Sequence, residues 1–91
     1  MILFIYCAGG FGKEIYDTAR RINQSEKRWD EIYFIDDNPL LGNSFYGTKL
    51  FSFESVLEAF DMNSAEMSVT NGEPVIRNLI YNKIKLNKIK L

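Results

Sequence analysis

Three short apolar runs divide the chain, and turn-forming residues follow each of them. The runs cover residues 2–7, 32–35 and 67–70. The first two are almost wholly apolar and too short for helices, so they are predicted as strands buried on both faces, as in a parallel sheet. The third is predicted as another core strand.

Apolar residues at helical spacing separate the first two strands. Between residues 12 and 23, Ile15, Ala19 and Ile22 fall on one stripe, and the charged residues lie off it. Residues 24–30 are polar and are predicted as a loop. A strand, a helix and a second strand in this order have the size of a βαβ unit.

Two further helices are predicted after residue 52. Ser52 is a candidate cap for a helix over residues 53–60, and Pro74 suits the first position of another helix. The predicted buried positions are Phe53, Val56, Leu57 and Phe60 in the first, and Ile76, Leu79, Ile80 and Ile84 in the second.

The remaining segments are less regular. Residues 40–51 contain turn residues and a short predicted strand at 48–51, and residues 84–91 partly alternate, which favours an edge strand. Together the elements predict an α/β fold: a small Rossmann-like three-layer αβα unit with a short parallel sheet of about four or five strands. We expect residues 1–91 to form one domain.

Charge and composition exclude several classes of function. The net charge is −1, so no general attraction to nucleic acid is expected, although residues 83–91 hold four lysines and no acid. The chain has no histidine and one cysteine, so we expect no metal site and no histidine-dependent nucleophile. No apolar run reaches membrane-spanning length, and we expect a cytoplasmic protein without a membrane partner.

The first candidate site is the Gly-rich turn between the first strand and the first helix. It comprises Ala8, Gly9, Gly10, Phe11 and Gly12. Unpaired N–H groups and the helix dipole at such a turn attract phosphate, and glycines allow the close approach. The dinucleotide fingerprint has a glycine where this chain has Cys7. An alternative interpretation is a strand-to-helix turn that binds nothing.

Two polar clusters follow the other core strands. Asp36 and Asp37 end the second strand, where a carboxylate can accept hydrogen bonds from ribose hydroxyls or a base N–H. Thr70 ends the third predicted strand and Asn71 follows it, at the edge that lines the ligand crevice in open α/β sheets. Alternatively, Asp37 belongs to a turn and Asn71 caps the next helix.

The order and spacing of these motifs resemble a known family. The segments at 8–14, 34–38 and 69–72, the last leading into Ile76 and Arg77, are similar to the N-terminal domain of bacterial sugar acetyltransferases. These are the sialic acid O-acetyltransferases and the bacillosamine-pathway enzymes, often called NeuD/PglD-like. The resemblance covers about residues 1–84. The sequence departs from the family at Cys7 and Thr70, where the family usually has glycine.

The resemblance implies a function for this domain. In that family it binds the nucleotide part of a UDP- or CMP-linked sugar, or a related sugar acceptor. A second, left-handed β-helix domain binds acetyl-CoA, trimerises and carries the catalytic histidine. This chain has neither hexapeptide repeats nor histidine. The resemblance therefore implies a nucleotide-sugar-binding part that has no catalytic residue and is inactive alone. Its expected partners are the nucleotide-sugar, a second copy, or an acetyltransferase domain in trans.

Two other functions remain open at the level of sequence. A fragment of an NAD(P)-dependent oxidoreductase would place Asp36 on the adenine ribose, although no catalytic Tyr–Lys or Cys–His pair is visible in the sequence. A non-enzymatic assembly or regulatory module could keep the fold without the ligand.

Overall fold

The computed structural model describes residues 1–86. In chain order the strands and α-helices are β1 (Ile2–Tyr6), α1 (Gly10–Ser25), β2 (Glu31–Ile35), β3 (Ser44–Phe45), β4 (Thr48–Phe51), α2 (Phe53–Ala59), β5 (Ala65–Val69) and α3 (Pro74–Leu86). Short 3₁₀ turns precede β3 and β5, at Pro39–Leu41 and Met62–Ser64.

The strands form one sheet in the order β3-β4-β2-β1-β5. β1 pairs in parallel with both β2 and β5, and β2 pairs in parallel with β4. The predicted short parallel sheet is therefore confirmed, with β3 as an additional antiparallel edge strand. After β1 the chain adds β2 and then β4 on one side of β1, and it later adds β5 on the other side. The direction in which strands are added therefore reverses at β1.

Helices cover both faces of the sheet. On one face Ala19 of α1 packs with Leu3, Ile5 and Phe34. On the other face α2 and α3 pack against a second cluster, whose buried members are Phe4, Tyr6, Ile35, Phe53, Val56, Ala65, Met67, Ile80 and Ile84. This arrangement is the predicted three-layer αβα unit.

Several boundaries differ from the sequence prediction. Helix α1 begins at Gly10 rather than residue 12. The third core strand spans Ala65–Val69, so Thr70 lies just beyond it. The segment predicted as irregular contains a β3–β4 hairpin, in which Tyr46 and Gly47 have φ values of 51° and 82°. Two consecutive positive φ values form the tight two-residue hairpin turn whose twist matches that of the strands. The usual sequence of such a turn is Asn-Gly or Asp-Gly, so the tyrosine at its first position hid the hairpin from the sequence prediction.

Helix α3 departs most from its prediction. Ile80 and Ile84 are buried as expected, but Ile76 and Leu79 are 44% and 64% exposed, so their assignment to the inner face was wrong. The helix continues to Leu86, and the predicted edge strand is therefore wrong for residues 84–86. Residues 87–91 of that prediction lie outside the described part. Within residues 1–86 no helix has the length and apolar character needed to cross a bilayer.

Candidate functional site

The Gly-rich turn and the two polar clusters predicted from the sequence meet at one edge of the sheet. Because β1, β2 and β5 are parallel neighbours, the residues that follow them lie side by side. A cavity of about 320 Å³ opens there. It is lined by Tyr6, Cys7, Ala8, Asp36, Asp37, Asn71, Ile76, Leu79, Ile80 and Lys83. The reversal of chain direction at β1 is where open α/β sheets bind ligands.

The glycines of the turn have two different roles. A Cβ atom built on Gly9 or Gly10 meets nothing within 4 Å, so space is open beside both residues. A Cβ on Gly12 would lie 2.7 Å from the Cys7 carbonyl oxygen. Gly12 therefore allows α1 to pack closely on the sheet. Gly10 does not have a positive φ, because it is already the first residue of the helix.

The start of α1 is open to a ligand. Gly9 occupies the cap position and provides no side-chain hydrogen bond to the first turn. The first N–H groups of a helix have no partner within the helix, and the dipole adds partial positive charge there. Phe11, in the same turn, is exposed.

Cys7 adopts the backbone conformation of the glycine that it replaces. Its φ is 88°, in the left-handed region that glycine favours. Its N–H donates to the Ile35 carbonyl at 2.7 Å, and its carbonyl accepts the Thr70 hydroxyl at 2.7 Å. The turn thus keeps a glycine-like geometry. Burial raises the pKa of the Cys7 thiol, and the Asp36 and Asp37 carboxylates raise it further. This environment disfavours a nucleophilic thiolate.

Asp36 connects the end of β2 to the Gly-rich turn. Its Oδ2 accepts the Ala8 N–H at 3.0 Å, and its Oδ1 accepts the Asn38 N–H at 3.0 Å. The residue is half-buried, and both of its carboxylate oxygens have backbone partners. Each carboxylate oxygen has a second lone pair, so contact with a ligand is still available.

Asp37 forms a three-residue cluster with Tyr6 and Lys83. Its Oδ2 accepts the Tyr6 hydroxyl at 2.5 Å and the Lys83 ammonium at 3.1 Å, while Lys83 also donates to the Tyr6 oxygen at 3.0 Å. Its Oδ1 accepts the first N–H of α2, that of Phe53, at 2.9 Å. The cluster joins β1, the β2 end, α2 and α3 on the cavity wall.

The cluster changes the protonation properties of its members. Burial and the hydrogen bond to Asp37 raise the pKa of Tyr6 far above its ordinary value. Burial alone would raise the pKa of Asp37. The hydrogen bonds from Tyr6, the Phe53 N–H and Lys83 outweigh the effect of burial, so the pKa of Asp37 is lowered. Sequence reasoning found no Tyr–Lys pair, because residues 6 and 83 are close only in the folded chain.

Thr70 and Asn71 support the turn from β5. The Thr70 hydroxyl is buried and donates to the carbonyls of Tyr6 and Cys7 at 3.0 and 2.7 Å. The Asn71 Oδ1 accepts the Glu73 N–H at 2.8 Å, just before α3, and its Nδ2 lies 3.7 Å from the Cys7 sulfur. Asn71 therefore orders the loop and also lines the cavity.

The site offers donors on one side and acceptors on the other. The two aspartates present oxygens to the cavity, and Ile76 and Leu79 form an apolar wall. The first turn of α1 is not part of the lining, but it follows the lining residue Ala8 closely in the chain and adds N–H groups that have no partner within the helix. This combination suits a ligand with an anionic group, hydroxyl or N–H donors and a flat apolar part. No group of three potential metal-ligating side chains occurs among residues 1–86.

Comparison with known proteins assigns most of the chain to a family. The family model described as the PglD N-terminal domain matches residues 2–84. This match includes every strand and the site described above. Searches of curated proteins and of solved structures gave no significant match.

Proposed function

Because this chain belongs to the PglD N-terminal domain family, we propose that it binds a nucleotide-linked sugar of the UDP or CMP type. It would serve as the substrate-binding part of a bacterial sugar acetyltransferase. The observation that carries the proposal is the open N-terminus of α1 beside the cavity at the β1 ends. Acetyl transfer from acetyl-CoA would take place in another domain, since this chain has no histidine.

The phosphate part of the ligand, a diphosphate in a UDP-sugar and a single phosphate in a CMP-sugar, is assigned to the first turn of α1. Gly9 and Gly10 leave room for phosphate oxygens to approach the backbone, and the helix dipole favours their charge. Asp36 and Asp37 would repel a phosphate placed against them. The anionic group therefore lies toward α1, and the carboxylates face the neutral parts of the ligand.

The nucleoside is assigned to the cavity under α3. Asp36 has spare lone pairs for ribose hydroxyls or a base N–H, and Ile76 and Leu79 supply an apolar surface for a flat ring. The buried hydroxyl of Thr70 is used within the protein, so its part in binding is to hold the Cys7 turn in shape.

Calorimetric titration tests the proposal directly. Purified chain is titrated with UDP-sugars, CMP-sugars, NADH and inorganic pyrophosphate. We expect a nucleotide-sugar to bind more tightly than NADH and to raise the melting temperature with concentration. Binding of NADH alone would indicate the oxidoreductase alternative, and no binding at millimolar concentration would indicate a module that has lost the ligand.

Two substitutions, Gly10→Ala and Gly10→Val, test whether the phosphate binds at Gly10. The alanine and valine side chains would both enter the open space beside α1, so both variants should fold. Gly10→Ala should weaken nucleotide-sugar binding slightly, and Gly10→Val should abolish it because the branched side chain occupies the phosphate position. Equal affinity in all three proteins would show that the turn does not hold the phosphate.

A further inference from the structure

Two carboxylates lie side by side in the wall of the cavity, next to the proposed position of an anionic group. The charged residues of the lining are Asp36, Asp37 and Lys83, so the lining carries one more negative than positive charge. Asp36 accepts the N–H of Ala8, which directly precedes Gly9, and therefore lies close to the proposed phosphate position. Because like charges repel, two uncompensated carboxylates here would oppose the binding of a phosphate.

Lys83 compensates the charge of one of the two carboxylates. Its ammonium lies 3.1 Å from the Oδ2 atom of Asp37 and 3.0 Å from the hydroxyl oxygen of Tyr6. The Tyr6 hydroxyl donates to the same Oδ2 atom at 2.5 Å. The three groups therefore form a closed triangle in which one negative and one positive charge cancel.

Several elements hold the lysine at this position. Lys83 lies between Ile80 and Ile84 in α3, and both isoleucines are buried in the core cluster on that face of the sheet. Its ammonium is 4.7 Å from the ring centre of Phe53 in α2 and 5.6 Å from that of Tyr6 in β1. A cation is attracted to an aromatic ring at these distances. The positive charge is therefore fixed on the cavity wall beside Tyr6 and Phe53.

We propose that Lys83 is a positioning residue, which cancels the charge of Asp37 and so allows the cavity to accept a phosphate-bearing ligand. Lys83 acts through its pairing with Asp37 and needs no contact with the ligand. With the pair intact, one net negative charge remains in the lining, and the partial positive charge of the α1 N-terminus faces the phosphate. The inference rests on the proposed function, because it concerns how the phosphate is accepted at that site.

Charge-changing substitutions at the pair form a thermodynamic cycle. Calorimetry measures the affinities of the parent, Lys83→Met, Asp37→Asn and the double variant for inorganic pyrophosphate and for UDP- and CMP-sugars. We expect Lys83→Met to bind these ligands about three- to tenfold more weakly at low salt, with a smaller difference at high salt. Asp37→Asn should bind as tightly as the parent or more tightly. The double variant should return to within about twofold of the parent, because both charges are gone.

Two control variants separate the local charge from other effects. Lys83→Arg keeps the positive charge and should restore the affinity that Lys83→Met loses. Lys85→Met removes an exposed lysine from the same helix, but Lys85 does not line the cavity, so its affinities should equal those of the parent.

Three results would overturn the inference. One is equal affinity of Lys83→Met and the parent for the phosphate-bearing ligands. Another is a loss in Lys83→Met that the added Asp37→Asn change does not restore, since the lysine would then act by holding α3 in place. The third is an equal loss in Lys85→Met, which would assign the effect to the overall charge of the protein.

Pyrophosphate distinguishes failure of this inference from failure of the proposed function. If the parent binds pyrophosphate but no nucleotide-sugar, the proposed function is wrong, and the cycle still decides the role of Lys83 with pyrophosphate alone. If the parent binds neither, the cavity accepts no phosphate and both proposals are wrong.

Discussion

The Asp36 carboxylate holds the Gly-rich turn against the end of β2 by accepting the Ala8 N–H at 3.0 Å. The bond joins residues 28 positions apart and fixes the chain immediately before Gly9. Asp36 is therefore part of the scaffold of the proposed phosphate site as well as a candidate contact for the nucleoside.

Asp36→Asn should reduce both stability and affinity. An amide has one acceptor oxygen, so one of the two backbone bonds is lost, and the unfolding free energy should fall by about 1–2 kcal/mol. Nucleotide-sugar binding should weaken by about 1.5–3 kcal/mol, the range for a hydrogen bond to a charged group. Pyrophosphate binding should stay the same or improve, because the negative charge is gone.

Asp61→Asn is the matched control for that variant. Asp61 likewise accepts the N–H of the residue two positions later, Asn63, but it precedes β5 and is not among the residues that line the cavity. Urea unfolding and calorimetry on both variants separate the two roles of Asp36. Reduced stability with unchanged affinity in Asp36→Asn would restrict Asp36 to the scaffold.

Gly12→Ala should destabilise the fold, whereas Gly10→Ala should not. The added Cβ at Gly12 would lie 2.7 Å from a backbone oxygen, so α1 must move away from the sheet at a cost of about 1–3 kcal/mol. The same change at Gly10 meets open space. Chemical denaturation of the two variants measures the difference, and equal stabilities would contradict the close packing of α1 at Gly12.

A pair of substitutions at Cys7 measures its backbone strain. Cys7→Ala and Cys7→Gly both remove the sulfur, so they differ only in their tolerance of a φ of 88°. We expect the glycine variant to be more stable than the alanine variant by about 1 kcal/mol, the reverse of their order in a helix. A more stable alanine variant would mean that the turn does not have positive φ in solution.

The contribution of Asp37 to stability should disappear in acid. Its pKa is lowered in the folded protein, so the stabilisation is present above the ordinary aspartate pKa and is lost as pH falls through the folded value. Asp37→Asn should therefore be less stable than the parent at neutral pH, and the difference should shrink below about pH 4. Urea unfolding across this pH range checks the slope.

Tyr6→Phe tests the contribution of the Tyr6 hydroxyl to the lowered pKa of Asp37. It removes the hydroxyl that donates to Asp37 and leaves the aromatic packing against Phe53 in place. The pKa of Asp37 should move back toward its ordinary value, and the acid dependence of stability should become less steep. An unchanged pH profile would show that Tyr6 does not stabilise the charged carboxylate.

The sequence determined most of the strands and helices and the edge of the sheet at which the candidate residues meet. An apolar run indicates a buried strand, and apolar residues at helical spacing indicate the buried side of a helix. The local sequence pattern alone was therefore enough to infer β1, β2, α1, α2 and the start of α3. The convergence of the Gly-rich turn, Asp36 and Asn71 also followed, because carboxyl ends of parallel strands share one edge of a sheet.

Only the tertiary structure decided how these residues are used. The Tyr6–Asp37–Lys83 cluster joins positions 31 and 46 residues apart, and no local pattern encodes such a contact. The same holds for α3, whose sequence carries two apolar stripes. Packing on the sheet buries Ile80 and Ile84 and leaves Val75 and Leu86 exposed, since a helix at the sheet edge can bury only one of its faces.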